Sequence, residues 1–432
     1  MLSTDMKHIS SVWLICLLVL PLAGRAQAGM HSIFLPEQAG AQWAQVAFLA
    51  DSQPDRLVAG GTGLYDFASS RLPIEQFYGY EGYLDDAAKT RILSALGTDN
   101  RLRLEVMAGG LVATRVRGIA AGLSYRQVVL TGLRFDQAHS LGLLLRGNAP
   151  YAGEALSDEH IAFRLANYHE AGVSAGIQRD GLRLGARLKG LYMPGYQALD
   201  QLSYELLTAA DGSSIDLQAS YDYFRSTRAG GGVALDLGAV YQIGKTWEVQ
   251  AALRDIGLLW TRGEAYTHTA DIRYEGIEAG NLFAGDWQNL ATLFPTDSLQ
   301  DLLLADPVET RRSVWLPLRA HAAVTYRPSA QHQISAALYS NGVAYSRPLV
   351  VLAYHRDLAP YLRAGIHLSA GDLNRWGWGA VLAGNIPIGN HHLGLFAEYQ
   401  MGASPGIVMA DQLRGMMLNG GVSFRIGDAA GQ

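Results

Sequence analysis

The sequence predicts an all-β protein, a transmembrane antiparallel up-and-down β-barrel of about 14 to 16 strands with short helices in its extracellular connections. Three observations predict it: an export leader, long segments with apolar residues at every second position, and connections that alternate between tight and long.

Residues 1–28 read as a signal peptide. A polar start containing Lys7 leads into the apolar run VWLICLLVLPLAG and then Ala26-Gln27-Ala28, which has the form of a cleavage site. The run is shorter than the roughly 20 residues of a spanning helix and contains Pro21. Cys16 lies inside it with no small residues before it, which argues against a lipid anchor. With Gly29 as the first mature residue no cysteine remains, so a disulfide framework and a thiolate metal site are excluded. No cofactor, metal or catalytic residue is expected. The formal charge of −5 is too mild to suggest nucleic acid as a partner. No linker, charge block or tandem repeat divides the chain. The expected organisation is therefore a periplasmic segment or plug at 29–55, one barrel over 56–427 and a tail at 428–432.

The strand period is clearest in three segments. In 181–193, Leu182, Leu184, Ala186, Leu188 and Tyr192 alternate with Arg183, Arg187 and Lys189. In 362–371, Leu362, Ala364, Ile366 and Leu368 alternate with Arg363, His367 and Ser369; in 417–427, Leu418, Val422, Phe424 and Ile426 alternate with Asn419, Ser423 and Arg425. A soluble sandwich also alternates. These segments are longer than its strands, and long enough to cross roughly 25 Å of hydrocarbon when tilted.

Tight connections fall at 116, 180–181, 210–212, 244–245, 329–330, 358–359 and 389–390. Longer ones fall at 68–100, 130–160, 224–230, 261–311 and 403–413, with shorter members near 195, 344 and 373. Walking through them from a first strand near 56–67 gives about sixteen crossings with both termini periplasmic. Asp180-Gly181 favours a two-residue type I′ turn, which pairs Ile177 with Leu184 and Val173 with Leu188 on the lipid side and brings Glu170 near Lys189. Tyr192, Tyr241, Trp247, Trp260 and Tyr399 suit membrane girdles.

Helices are expected only in the long connections: Leu84, Ala88, Ile92 and Leu96 form a stripe ended by Gly97, and Asp136 is a candidate cap for a helix through Leu145. In 281–294, Phe283, Trp287, Leu290 and Phe294 share a face and form a candidate apolar lid, or a shield for the barrel rim.

By strand phase the lumen gathers Glu170, Arg183, Arg187, Lys189, Asp236, Glu248, Arg254, Arg319, Arg363 and Glu398, together with Arg103, Glu105 and Arg425. Both signs are present, which fits a salt-bridged filling or, alternatively, a polar path or ligand cradle. His367 and Ser369 share a face, but no orienting carboxylate or amide is evident for a hydrolytic site. The glycines of AGGGVAL lack the Lys-Ser/Thr of a phosphate loop, and Asp255-Ile256-Gly257 reads as a bulge or bend.

At LLRGNAPYAGEAL (144–156), NYHEAGVSAGI (167–177) and AGGGVALDLGAVYQIGKTWEVQAALRDIGLLW (229–260) the chain resembles an uncharacterised family of Gram-negative outer-membrane barrels. That family is related in architecture to FadL-like (long-chain fatty-acid transporter) channels and to PorV-like barrels of the type IX secretion pathway. The resemblance implies about fourteen strands, two fewer than the walk along the connections. It also implies an N-terminal hatch, for which 29–55 is the candidate segment. A non-enzymatic protein of the cell outer membrane is expected, in contact with its lipid, that transports or binds small hydrophobic molecules. The alternative is a barrel scaffold for a secretion or surface-protein partner.

Overall fold

The computed structural model describes residues 46–47, 57–73, 84–274, 306–342, 347–373, 375–403 and 413–426. Seven strands precede the longest connection: β1 (Leu57–Ser69), β2 (Asn100–Val116), β3 (Ile119–Phe135), β4 (Ala155–Arg179), β5 (Leu182–Thr208), β6 (Ile215–Ile243) and β7 (Trp247–Tyr274). Eight follow it: β8 (Val308–Trp315), β9 (Arg319–Ser329), β10 (His332–Asn341), β11 (Leu349–Ala359), β12 (Leu362–Gly371), β13 (Arg375–Ile388), β14 (His391–Ala403) and β15 (Leu413–Ile426). All pairings are antiparallel, and β1 pairs with β15 to close the wall.

β8 and β9 both lie against β7 in one continuous register, from Trp247–Tyr326 to Leu258–Trp315. They are the halves of one wall strand interrupted at Leu316, Pro317 and Leu318, where proline has no N–H to give to a ladder. The closed barrel therefore has fourteen strands, with the fifteenth arising from this break. Leu316 N donates to Gly257 O at 3.0 Å and Gly342 N to Leu318 O at 2.7 Å, so the break is stitched on both flanks. Among the described residues β8 pairs with β7 alone.

The number fourteen agrees with the resemblance, and the two further crossings have a definite origin. β5 and β6 run unbroken for 27 and 29 residues through 195 and 224–230, which are bulges inside strands and not connections. The turn at 210–212 then lies at the outer end, opposite the tight turns at 117–118, 180–181 and 389–390. The first strand near 56–67 is present as β1. Asp180 (φ 49°) and Gly181 (φ 80°) form the type I′ turn, and Ile177–Leu184 and Val173–Leu188 pair as the sequence implies.

Apolar residues alternate on the outward face: Val173, Leu188, Val233, Leu352, Ile366 and Leu368 are all exposed, as a surface facing lipid requires. Tyr241, Trp247 and Tyr326 bound this band at the turn end, with the rings of Trp247 and Tyr326 tilted against each other at 4.6 Å between centroids. Tyr125, Tyr192, Trp260, Trp315 and Trp376 bound it at the other end. Along β7, Trp247 to Trp260 rises roughly 30 Å at about 3.3 Å per residue and a tilt of about 40°, the thickness of a bilayer core. The chain is thus a membrane-spanning barrel of the outer-membrane type. β4 to β7 continue well beyond the second girdle.

Among the described residues two short helices lie at the outer end. α1 (Asp86–Ala95) is capped by Asp85, whose carboxylate accepts from Ala88 N at 2.6 Å, and it buries Ala88 and Ile92. α2 (Ala138–Arg146) is not capped by the side chain of Asp136. Asp158 of β4 takes that role instead, accepting from Gln137 N at 2.9 Å and Ser140 Oγ at 2.6 Å. Sequence spacing cannot reveal a cap supplied from another strand.

Candidate functional site: the layered lumen

The inward faces of β2 to β9 carry a buried layer of charge. Lys189 bonds Asp255 and lies 2.7 Å from Asp236 and 3.5 Å from Glu170. Arg126 pairs with Glu170 and lies 3.7 Å from Asp255. Arg319 reaches Glu105 at 2.5 Å and Asp255 at 3.4 Å, while Arg187 reaches Asp236 at 3.3 Å. Nearer the turn end, Arg183 binds Glu248 at 2.5 Å. Such pairs replace lost hydration best where a carboxylate meets two or more cations, as Glu170, Asp236, Asp255 and Glu248 do.

Asp255 sits at the centre because of the β7 bulge. Its φ is +61°, and the register slips between Leu235 and Leu237 opposite it. Leu253 and Ile256, which flank the pair 254–255, both face lipid, so Arg254 and Asp255 turn inward together. Asp255 N then donates to Asp236 Oδ1 at 2.8 Å. Arg254 stands directly opposite Arg319, and among the described residues no carboxylate lies within 4.0 Å of it.

The structure brings together Glu170, Arg183, Arg187, Lys189, Asp236, Glu248, Arg254 and Arg319 from the sequence-derived set, with Glu105. It leaves four apart: Arg363 pairs locally with Asp357 at 2.5 Å, Glu398 accepts from Asn419 Nδ2 at 2.9 Å, Arg103 joins Asp66 and Asp372 at 2.5 and 2.8 Å, and Arg425 lies on β15 opposite His392. Strand phase missed Arg126 and Asp255. Arg126 lies in a segment with weak alternation, and Asp255 gains its place from a bulge that inverts the phase. Phe283, Trp287, Leu290 and Phe294 lie outside the described residues.

Along β3 to β7 the next inward residues towards the outer end are apolar. Val128, Tyr168, Leu191, Met193, Phe224 and Leu259 pack into one buried cluster, which Leu316 joins from the strand break. The Tyr168 hydroxyl points among the charges with no hydrogen-bond partner among the described residues. On the lipid side below the break, Leu184, Ala239, Ala251, Leu253, Ala320, Ala322 and Leu338 line an apolar groove of about 710 Å³. At the turn end Val46 and Ala47 are buried inside the barrel, Ala47 in a cluster with Val240, Ala337 and Val351. A Cβ at Gly185 would meet Val46 O at 2.5 Å, so only glycine admits this segment there.

His367 and Ser369 both face the lumen, but Ser369 Oγ accepts from Gln400 Nε2 at 2.8 Å. No group of three metal-ligating side chains occurs among the described residues.

No curated protein matches the sequence. A family of unknown function (DUF5723) matches residues 191–390. Among solved structures the chain is similar to a Pseudomonas aeruginosa FadL homologue (12% identity, TM-score 0.44, covering 89% of this chain and 92% of that one). It is similar also to the Pseudomonas putida toluene transporter TodX (9%, 0.44, 93% and 94%) and to the translocator domain of the autotransporter NalP from Neisseria meningitidis (9%, 0.36, 93% and 99%).

Proposed function

We propose that this outer-membrane barrel binds and passively passes small hydrophobic molecules, without catalysis. The observation that carries the reading is the layered lumen. An apolar cluster occupies the outer half of the tall wall, where a porin-like channel would be polar. An apolar solute in that cluster would have to part the ion pairs of the charged layer on the way inward, at a cost in free energy. The break at 316–318 offers the alternative, since Leu316 touches the cluster and the groove outside begins just below Leu318. Passage would then run from the cluster sideways into lipid.

Residues 1–28 as a cleaved leader and 29–55 as a plug belong to the same proposal. The burial of Val46 and Ala47 against Gly185 supports the plug. Amino-terminal sequencing of the membrane-inserted protein should begin at Gly29.

The test is titration of purified protein with the fluorescent apolar probe 1-N-phenylnaphthylamine. Saturable binding is expected, and Leu316→Arg should weaken it about tenfold while leaving the heat-modifiable mobility of the barrel unchanged. If the wild-type protein neither binds the probe nor speeds its entry into vesicles, the transport reading fails. The scaffold reading, with a secretion or surface-protein partner, would then rest on the strands that project past the girdle.

A further inference from the structure

Just beyond the outer girdle, the outward face of the tall wall carries charge that the barrel itself does not need. Arg262 on β7 is flanked in register by Arg228 on β6 and Arg311 on β8. All three side chains are exposed, and among the described residues no carboxylate lies within 4.0 Å of any of them. Like charges directly opposite on neighbouring strands destabilise a sheet, so three abreast are a cost that a bound anion would remove. The acidic side chains on this face, Glu264 and Glu309, stand one step further out, and Glu264 is already held by Arg225 at 2.8 Å and Tyr266 at 2.7 Å.

The surroundings identify the anion. One step towards the membrane, Tyr192, Gly231, Trp260 and Ser313 are aligned across four strands. Gly231 leaves bare backbone beside the indole Nε1 of Trp260. Below that row, Val233 and Trp315 face hydrocarbon. Read outward from the bilayer, the surface is apolar, then aromatic with hydrogen-bonding groups, then cationic. That is the order of acyl chain, glycosyl or ester linkage and phosphate in a lipid.

We infer that Arg228, Arg262 and Arg311 bind the phosphate groups of an outer-leaflet lipid, whose acyl chains lie along Val233 and Trp315. Guanidinium groups grip phosphate through paired N–H bonds, which suits arginine at all three positions. The site uses only the outer surface and stands whether or not the lumen transports anything.

The full chain, purified in detergent, is mixed with bis-phosphorylated lipid A or with the same lipid dephosphorylated, and bound lipid is counted by native mass spectrometry. Wild-type protein should prefer the phosphorylated lipid, and the triple variant Arg228→Gln/Arg262→Gln/Arg311→Gln should lose roughly a hundredfold in affinity for it. Binding of the dephosphorylated lipid should not change. Equal binding of both lipids by the wild type, or an unaltered preference in the variant, overturns the site. So does full displacement by millimolar inorganic phosphate, which would mark a site for the free anion. Because the variant removes repulsion, it should fold at least as well as wild type by heat-modifiable mobility. If it fails to fold, the arginines serve the barrel and the inference falls.

Discussion

The wall from β4 to β7 and the wall from β9 to β14 cross the same membrane with very different strands. The first uses 25 to 29 residues per strand, the second 10 to 14. Their outward faces are alike, with exposed apolar residues such as Leu188 and Leu368. Their inward faces are not. The tall wall buries Glu170, Arg187, Lys189, Asp236 and Asp255, whereas the short wall buries mainly uncharged polar groups such as Gln333, Ser335, Ser369 and Gln400. Lipid dictates one face of every strand, and leaves the other to function. The difference between the walls therefore locates the specialised part of the lumen in the tall one.

The largest expected effect falls on the centre of that part. Asp255→Ala leaves Lys189, Arg319 and Arg126 short of a carboxylate and should destabilise the barrel by about 3 to 5 kcal/mol in urea-driven unfolding from micelles. Gln400→Leu on the short wall removes the hydrogen bond to Ser369 and should cost about 1 kcal/mol. Equal costs would mean that the two lumen faces are energetically equivalent.

Next come the outward faces, which should respond alike. Leu188→Arg and Leu368→Arg each place a charge in hydrocarbon, at about 2 to 4 kcal/mol near the midplane. Arg187→Leu should cost less than Leu188→Arg, because Asp236 keeps Lys189 at 2.7 Å and the Asp255 amide at 2.8 Å. If Arg187→Leu proves the more damaging in assembly assays, the facing of β5 is wrong.

The same contrast explains what the sequence could tell. The short wall was fully legible, since strands such as Leu349–Ala359 match one membrane crossing and alternate without interruption. In the tall wall alternation continues past the membrane, and Met193-Pro194-Gly195 and the glycines at 230–232 look like turns while serving as bulges. Local spacing cannot separate a bulge from a connection when neither strand's partner is known. The charged layer was legible as a set of residue types, and Glu170 with Lys189 even as a pair. Its centre was not, because one left-handed residue at Asp255 inverts the phase and no composition signal marks it.

The smallest expected effect lies where the short wall is tied, outside the membrane, to β2 and β3, the strands that lead to the tall wall. Asp99, in the loop before β2, lies 2.7 Å from Arg101, 3.4 Å from Arg134 and 3.2 Å from Arg347 in the loop between β10 and β11. Partial burial pushes its carboxyl up, but the Arg101 hydrogen bond and the three guanidinium charges outweigh this and hold it below the usual carboxylate value. A lowered pKa in the folded state means that the stabilisation is complete above the unfolded value of about 4 and is lost as the pH falls through the folded value. The tie is part-exposed, so it is worth less than about 1 kcal/mol. Hydrogen exchange at Arg347 and its neighbours should therefore be constant from neutral pH down to about 5, after scaling for intrinsic rates, and should rise only under stronger acid. Asp99→Asn should raise it at neutral pH while leaving exchange in β4 to β7 unchanged. Faster exchange throughout the barrel would show that the loop tie supports the wall itself, and the two walls would then have to be treated as one cooperative unit.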